Sequence, residues 1–508
     1  MKSVVIIGGG LGGLFTGAIL AKEGFSVTVL EKNATIGGGL QSFTRFGEVF
    51  DTGMHVIGGM QPGGNIERLC RYLGISSQAN VMPVDDDCTD DLYFAEDDTH
   101  YLLRKGKDGL IESLSGYFPQ SRQEIESYMN AVFGMVSRID MFNLRPTPVF
   151  TQFPADDSLM AADEFIAKHI TDRRLRSVIA YMNPLYGGMG GRTPAYIHAI
   201  VTVLYAEGTS RFVGGSVRFA RLLANVITEH GGKVMPADGV EWIETSDKMV
   251  TFVRTRSGRR YTADHYISAI HPCTLLKFMG EKAFTKSYRD RLNSIPNSYS
   301  AFSLYVKMKD GTFPYINHSE YYMSRYEDIW EFGNPDKKWP LGFLLMTPPE
   351  QNQGKFSRKV LLTAPMRFDE VKPWEATTTG HRSSSYEQWK RERAAQLLDM
   401  IDKMHPGFSS NIDKIITSSP LTIRDFYGVK GGALSGFSKD CHNMALSQLP
   451  VVTKVRNLLL TGQNNSLHGF CGVALTAIST SEVLLGHNYI INKINDCAPA
   501  SQSPCTTL

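Results

Sequence analysis

A glycine-rich turn near the start of the chain could hold the diphosphate of a dinucleotide. Gly8, Gly10 and Gly13 have the spacing G-x-G-x-x-G and follow a β-branched run at residues 4–7. The first glycine permits a tight turn, the second lets the backbone approach a pyrophosphate, and the third permits close packing of a helix on a sheet. The helix that follows would direct free N–H groups at the phosphates.

Two features after this turn indicate which nucleotide is bound. Glu31 ends the next apolar run, where an acid accepts hydrogen bonds from an adenosine ribose and disfavours the 2′-phosphate of NADP. Gly37, Gly38 and Gly39 follow shortly after and would let a second backbone segment lie against the ribose and pyrophosphate. Ordinary NAD domains lack such a segment, so the pattern favours FAD.

The elements that must position these residues are typical of a parallel α/β fold. Residues 4–7 read as a buried strand, apolar residues then recur at helical spacing up to Gly24, and residues 25–30 read as a second strand. This is a β-α-β unit. Further helices are predicted near residues 120–140, 160–180, 222–230, 385–404 and 473–485, and further strands near 234, 266–270, 300–307 and 458–461.

The N-terminal residues resemble those of a known superfamily. Residues 4–53 are similar to the extended dinucleotide-binding motif of flavin amine oxidases and phytoene desaturases. The sequence FDTGMHVIG at residues 50–58 resembles the matching segment of retinol saturases and of carotenoid desaturases and isomerases. Leu40 stands about where many phytoene desaturases carry an arginine, so any role of that arginine is missing here.

The C-terminal part resembles the same superfamily. The sequence NLLLTGQ at residues 457–463 is similar to its last strand and flavin loop, with Gln463 where many relatives carry an acid. Gly472 and the helix after it match the element whose N-terminus faces the flavin pyrimidine ring, where it would stabilise negative charge on a reduced flavin. Val240 matches a strand-borne valine that contacts adenine. The residues predicted to bind the cofactor are therefore Gly8, Gly10, Leu11, Gly12, Gly13, Glu31, Lys32, Gly37, Gly38, Gly39, Val240, Gly462, Gln463, Gly472 and Val473.

The resemblance implies an α/β fold in which a Rossmann-type FAD-binding domain carries an inserted α+β substrate domain. The FAD-binding domain is expected to be discontinuous, with residues 1–75, 205–285 and 415–490. Residues 76–204 and 286–414 would form the substrate-binding domain, and residues 491–508 a flexible tail. Acidic groups at residues 85–87, 90–91 and 97–98 read as solvated turns.

The implied activity is FAD-dependent saturation, desaturation or isomerisation of carbon–carbon double bonds in a lipophilic polyene such as a retinoid or carotenoid. FAD would be bound non-covalently. No second nucleotide motif is present, so NAD(P)H could serve only as a transient electron donor. Saturation needs a proton as well as a hydride, and His55 and His468 lie in flavin-proximal segments as candidate catalytic donors. Each could instead only hydrogen bond a loop backbone, and no metal site is predicted.

The inserted segments are rich in aromatic residues and methionine, which could line an apolar tunnel or simply fill a core. These residues are Tyr181, Met182, Tyr186, Met189, Tyr196, Tyr205, Phe302, Tyr305, Phe343 and Met346. Two other functions stay open: a flavin amine oxidase, and a non-enzymatic lipid-binding escort similar to Rab GDP-dissociation inhibitors. The intact glycine motifs disfavour an escort, since a binding module need not keep a flavin cradle.

The length, net charge and cysteine content of the chain limit these interpretations. The 508 residues predict two domains, and a net charge of +2 gives no sign of a nucleic-acid partner. Seven scattered cysteines without C-x-x-C spacing are typical of a reducing compartment. Only Lys2 precedes the first apolar run, so no signal peptide is predicted. We expect a cytoplasmic protein, with peripheral association at a membrane surface as an open alternative.

Overall fold

The structure, a computed structural model, describes residues 1–147, 156–281, 283–444 and 448–497. Its strands are β1 Ser3–Ile7, β2 Ser26–Leu30, β3 Ser42–Arg45, β4 Glu48–Asp51, β5 Ile57–Gly58, β6 Val81–Pro83, β7 Asp90–Phe94, β8 Thr99–Leu103, β9 Thr209–Phe212, β10 Lys233–Met235, β11 Val240–Ser246, β12 Met249–Thr255, β13 Arg260–Tyr261, β14 His265–Ser268, β15 Ser300–Met308, β16 Ser319–Met323, β17 Gly342–Met346, β18 Lys359–Met366, β19 Ile412–Ser418 and β20 Leu458–Leu460.

The α-helices connect and cover these strands. They are α1 Leu11–Lys22, α2 Asn65–Leu73, α3 Gly106–Tyr117, α4 Arg122–Ser137, α5 Ala162–His169, α6 Arg173–Ile179, α7 Ala195–Ala206, α8 Val217–Glu229, α9 Pro272–Phe278, α10 Lys286–Ser294, α11 Ser384–Met404, α12 Pro420–Tyr427, α13 Gly469–Leu485 and α14 Tyr489–Asp496.

A parallel sheet of order β10-β2-β1-β14-β20 carries the N-terminal glycine turn. Its strands come from distant parts of the chain. The inner strands β1 and β14 are buried on both faces, whereas the edge strand β10 is partly exposed. Val4 and Ile6 pack toward α1 and α8, while Val5 and Ile7 pack toward the antiparallel sheet β11-β12-β13. Burial on both faces explains why β1 is a continuous apolar run with no alternation. The expected Rossmann-type α/β architecture is confirmed.

A second, seven-stranded sheet has the order β19-β15-β18-β17-β16-β7-β8. Neighbouring strands are antiparallel except β16 and β7, which run parallel. Phe302, Leu304 and Val306 of β15 pack on one face against Trp389 and other apolar residues of α11. The predicted division into domains stays a prediction; β19 begins before residue 415 and pairs in this second sheet.

Two expectations about local structure are wrong. Residues 491–496 belong to α14 and not to a flexible tail, because Ile490, Ile491 and Ile494 are buried against the core. Residues 498–508 of that expected tail lie outside the described residues. Asp90 and Asp91 form the start of strand β7 and are buried, so they are not a solvated turn.

The described helices include none that is both long and apolar enough to cross a membrane by itself. The helices α13 and α14 meet the length and composition requirements only when taken together, and the chain bends by 115° between them. Most residues of α13 are buried within the protein.

Candidate functional site

The turn between β1 and α1 requires glycine for reasons of geometry. Gly8 has a φ of +107°, and its amide donates to the Leu30 carbonyl at 2.8 Å. A Cβ atom on Gly13 would lie 2.0 Å from the Gly8 carbonyl oxygen, which no side chain could tolerate. The first turn of α1 therefore lies directly on the end of β1, and the N-terminus of α1 opens at the edge of the sheet.

A second glycine segment lies against this turn. The Gly37 amide donates to the Gly9 carbonyl at 2.7 Å, and Gly10 and Gly37 form a parallel bridge. A Cβ atom on Gly38, whose φ is +58°, would lie 3.1 Å from the Cα atom of Gly10. Two backbones thus approach each other without side chains between them, which leaves their N–H groups accessible to a phosphate group.

Glu31 follows β2 and is only 6% exposed. Its carboxylate accepts hydrogen bonds from the Gly9 amide at 2.7 Å and from the Asn33 amide at 2.8 Å. The neighbouring Lys32 donates to the Asp425 carbonyl at 2.7 Å, and burial lowers the pKa of its amine. Glu31 therefore braces the glycine turn, and Lys32 connects it to α12.

The C-terminal chain completes the site from the other side of α1. Gly462, with a φ of +103°, approaches so closely that a Cβ atom on Gly12 would lie 3.1 Å from its Cα atom. The hydroxyl groups of Thr461 and Thr16 are 3.1 Å apart. In the first turn of α13, a Cβ atom on Gly472 would lie 2.3 Å from the Leu467 Cβ atom. Glycine at position 472 is thus required by the packing of the preceding loop.

Gln463 has a structural role. Its side-chain amide lies between the Leu434 carbonyl, to which it donates at 3.1 Å, and the Gly436 amide, from which it accepts at 3.2 Å. These contacts hold the returning segment around residues 434–436 against the loop before α13. A ribityl contact by Gln463 stays a prediction.

The predicted cofactor residues are brought together around one cavity of about 520 Å³. Gly13 and Gly37 do not line it and instead support the turns that do. The predicted residues that line the cavity, with both candidate histidines, are Gly8, Gly10, Leu11, Gly12, Glu31, Lys32, Gly38, Gly39, His55, Val240, Gly462, Gln463, His468, Gly472 and Val473.

The same cavity continues into an apolar region. One face of α7 contributes Ile197, Ile200, Val201 and Leu204, which recur at the three- and four-residue spacing of a helix. Tyr321 and Met323 of β16 face these residues, since alternate residues of a strand share a face. Glycine backbones at one end and aliphatic or aromatic side chains at the other therefore form a single continuous space.

Most of the aromatic residues and methionines expected to line a tunnel do not line it. Of those ten, Tyr205 and Phe343 line the cavity. The others are taken up by packing and internal hydrogen bonds: Tyr186 bonds His198 at 3.0 Å, and Phe302 packs against Trp339 and Trp389. The residues assigned to the core in this way are Tyr181, Met182, Tyr186, Tyr196, Phe302, Tyr305 and Met346. Met189 is only partly buried and also lies outside the cavity.

His55 lies in the loop between β4 and β5 and faces the cavity. Its Nδ1 atom is buried and has no hydrogen-bond partner among the described residues. Burial, with a smaller contribution from the charge of Arg211, lowers the pKa of the ring to about 3. The ring is therefore neutral at pH 7.

His468 is the residue immediately before α13 and faces the same cavity. Neither of its ring nitrogens has a partner within the described chain. Burial and, secondarily, the charge of Lys439 lower the pKa of the ring to about 3, while burial lowers the pKa of Lys439 itself to about 7. Unpaired nitrogens on the cavity wall are suited to a ligand that supplies hydrogen-bond partners.

Three residues at this site were missed from the sequence. Tyr321 lies on the cavity wall, and burial raises the pKa of its hydroxyl group well above its usual range. Lys439 acts on His468 through its charge, and Arg211 acts on His55 in the same way. No local pattern marks these residues, since β16 is buried along its whole length and shows no alternation that would single out Tyr321.

The residues present fit a flavin nucleotide. The two glycine segments leave room beside the α1 N-terminus for a pyrophosphate, and the unpaired histidine nitrogens adjoin the apolar region where a ring system and its reactant would meet. A protein that bound only an apolar molecule would not need these glycine segments, so their presence disfavours a lipid-binding escort.

Comparisons with known proteins agree with this geometry. Residues 6–73 match the family described as an NAD(P)-binding Rossmann-like domain. The human all-trans-retinol 13,14-reductase is 25% identical over 96% of this chain and 86% of its own length. Prolycopene isomerase 2 of an Oncidium hybrid cultivar is 23% identical over 95% of this chain and 83% of its own length.

A solved structure of putrescine oxidase shares the fold. It superposes with a TM-score of 0.64 and 12% identity, covering 95% of this chain and 99% of that one. The fold and the site thus define an oxidoreductase whose flavin is held by a Rossmann-type domain. Within that class, the chain is similar over nearly its whole length to proteins named all-trans-retinol 13,14-reductase and prolycopene isomerase.

Proposed function

We propose that this protein is an FAD-dependent oxidoreductase that acts on carbon–carbon double bonds of a lipophilic polyene, such as a retinoid or a carotenoid. Two relatives support this proposal, since one is named a reductase of all-trans-retinol and the other an isomerase of prolycopene. The cavity supports it independently, because it joins a nucleotide cradle to an apolar chamber.

The choice of FAD rests on the residues beside the glycine turns. Glu31 lines the cavity at the end of β2, at the position that contacts an adenosine ribose in this type of fold. Val240, the first residue of β11, also lines the cavity. Burial raises the pKa of the Cys471 thiol to about 12, so the thiolate needed for a covalent flavin bond is suppressed. We therefore propose that FAD is held non-covalently.

One observation favours a polyene over an amine as the substrate. Among the described residues that line the cavity, Glu31 is the only carboxylate, and it belongs to the nucleotide end. The apolar end presents Ile197, Ile200, Leu204, Phe343 and similar residues. A cationic amine would have no counter-charge there, whereas a hydrocarbon chain would gain about 25 cal/mol for each Å² of apolar surface removed from water.

The protein's own contribution to the chemistry is positioning and proton control. When bound, FAD would supply or accept the hydride equivalent. The faces of α7 and β16 would align the polyene and exclude water from the reacting carbons. His55 and His468 are neutral in the cofactor-free protein, because burial lowers the pKa of each ring to about 3. Negative charge on a nearby reduced flavin would raise those pKa values and favour the protonated ring that a donor requires.

Anaerobic stopped-flow spectroscopy tests the proposal directly. Enzyme reduced with dithionite is mixed with retinol, with a carotenoid or with an unsaturated fatty acid, and the flavin absorbance near 450 nm is followed. We expect a polyene to reoxidise the flavin with formation of a saturated product. In a second experiment, oxidised enzyme is mixed with putrescine and benzylamine, which we expect to leave the flavin oxidised.

The outcomes separate the alternatives. Rapid bleaching by the amines, with no reoxidation by any alkene, would identify an amine oxidase. Absence of any bound flavin after purification would favour the lipid-binding escort. Chemical reduction makes the first result independent of the natural electron donor. Mixing the oxidised enzyme with NADH or NADPH then tests our further proposal that a nicotinamide binds transiently as that donor.

We propose that the protein is cytoplasmic and collects its substrate at a membrane surface. Phe426 lines the cavity and is also 45% exposed, so the cavity reaches the surface beside an aromatic side chain. Co-sedimentation with phosphatidylcholine vesicles should fall by several-fold in Phe426→Ser. An equal fall in Phe356→Ser, which alters an exposed aromatic side chain outside the cavity, would contradict a specific role for the cavity mouth.

A further inference from the structure

The seven-stranded sheet carries a polar cluster on the face that is turned away from the cavity. Asp91 of β7 and Glu320 of β16 are register partners across the parallel pair, and they are only 8% and 4% exposed. Tyr321, the next residue along β16, faces the cavity instead. Two carboxylates therefore lie side by side in a buried position, which costs free energy unless a cation or hydrogen-bond donors compensate their charge.

A histidine completes a set of three potential metal ligands. His318 lies two residues before Glu320 and so lies on the same side of the sheet, with its Nε2 atom 3.9 Å from the Glu320 Oε1 atom. One ligand atom each from Asp91, His318 and Glu320 lies within 4.8 Å of the other two. Slightly closer approach would bring all three to a single ion at the bond lengths of about 2.0–2.2 Å that Zn²⁺ requires.

Two more histidines hold the carboxylates in place. The Nδ1 atom of His100 on β8 lies 2.9 Å from the Asp91 Oδ1 atom. The Nε2 atom of His405, immediately after α11, lies 2.8 Å from the Glu320 Oε2 atom. Partners of this kind orient carboxylates that bind a metal, and their loss typically weakens metal affinity 10- to 100-fold.

We propose that Asp91, His318 and Glu320 bind one divalent transition-metal ion, with Zn²⁺ as the best-fitting ion and with His100 and His405 as supporting residues. One nitrogen and two carboxylate oxygens suit Zn²⁺ better than Ca²⁺ or Mg²⁺, which prefer oxygen alone. The charge of the ion would balance the two carboxylates. The remaining coordination position would hold water.

The position of the site defines what the ion would do. It would connect β7 and β16, and through His405 the end of α11, on the face opposite the cavity. The ion would therefore stabilise the sheet that forms one wall of the cavity and would take no part in the redox reaction. The sequence predicted no metal site because these ligands come from two distant segments, one with Asp91 and one with His318 and Glu320.

Metal titration of the untagged holoenzyme tests this site. Chelator-treated protein is titrated with Zn²⁺ by calorimetry and with Co²⁺ by visible spectroscopy, and its thermal unfolding is followed with and without Zn²⁺. We expect one equivalent per chain, an increase in the unfolding midpoint, and a Co²⁺ spectrum without a thiolate charge-transfer band. His318→Gln should weaken binding at least tenfold, and His405→Gln about 10- to 100-fold.

His442→Gln provides the matched control. Among the described residues, Asp440, Cys441 and His442 form a second group of potential ligands, and His442 is exposed. We expect this variant to bind Zn²⁺ as the unaltered protein does. Loss of binding in His442→Gln but not in His318→Gln, a thiolate band with Co²⁺, or no stoichiometric binding at micromolar Zn²⁺ would each overturn the proposal. The Co²⁺ spectrum of the unaltered protein decides the matter even if His318→Gln fails to fold.

Discussion

Gly10→Ala should weaken flavin binding strongly while leaving the cofactor-free protein folded. A Cβ atom on Gly10 would meet only the Gly38 Cα atom, at 3.8 Å, which is an ordinary van der Waals distance. The added methyl group would project into the space between the two glycine segments, where we expect the pyrophosphate. No described atom of the protein would clash with this methyl group, so we expect it to clash only with the bound ligand.

The expected magnitude follows from the phosphate contacts that would be lost. Charge-assisted hydrogen bonds contribute about 1.5–3 kcal/mol each, so displacement of a single N–H···O–P contact should weaken binding about 10- to 150-fold. Gly13→Ala differs, because its Cβ atom would lie 2.0 Å from the Gly8 carbonyl oxygen and would prevent the close packing of α1 on β1. That variant should lose both folding stability and flavin.

The assay measures two quantities for each variant. Fluorescence quenching of FAD added to the cofactor-free protein gives the dissociation constant, and thermal unfolding without FAD gives the stability. Gly116→Ala, an exposed helical position where an added Cβ atom meets no neighbour within 4 Å, controls for the methyl group itself. If Gly10→Ala unfolds as readily as Gly13→Ala, or binds FAD as tightly as Gly116→Ala, the reasoning about this turn is wrong.

Three further expectations concern the polar groups of the site. Glu31→Gln should weaken FAD binding about 10- to 150-fold by removing the charge that holds two backbone amides, whereas Glu241→Gln, at an exposed strand position, should not. One of His55 and His468 is expected to donate the proton, and replacing that residue with Gln should slow reoxidation of reduced flavin by a polyene about 10²- to 10⁴-fold, with substrate binding retained. If both variants reoxidise as fast as the unaltered enzyme, neither histidine is the donor. Because burial lowers the pKa of His468 to about 3, the unfolded chain binds a proton below about pH 6.5 that the folded chain does not. The cofactor-free protein should thus lose stability as the pH falls from 6.5 toward 3, by up to about 1.4 kcal/mol per pH unit, and urea unfolding should show a shallower loss in His468→Gln.

The nucleotide end of the site could be predicted from sequence because its requirements are local. Gly8 and Gly13 lie within one turn, and the conformation of that turn decides which residues are tolerated. Glu31 could be found for the same reason, since it ends the adjacent parallel strand. Gly37 and Gln463 were predicted to contact the cofactor, but each forms hydrogen bonds with a neighbouring loop of the protein.

The substrate end could not be predicted residue by residue. Tyr205 and Phe302 are equally good candidates by type, but Tyr205 faces the cavity from α7 while Phe302 packs beneath α11. Which face of an element borders a space depends on partners from distant segments. The buried positions of Asp90 and Asp91 were missed because a pair of acids before an apolar run is typical of a turn, whereas tertiary partners such as Tyr181 and His100 here retain them within a strand.

The strand order β10-β2-β1-β14-β20 has a consequence for how the cofactor is acquired during synthesis. The glycine turns are synthesised well before Gly462 and α13, which close the same site from a distant part of the chain. About 420 residues separate Gly39 from Gly462, so at about 5–20 residues per second the nascent chain spends roughly 20–85 s with an incomplete site. During that interval α1 lacks α13, the helix against which it packs in the complete structure. Flavin capture must therefore wait until Gly462 and α13 have been synthesised, and a truncation that removes α13 and α14 should yield a protein that cannot acquire its cofactor.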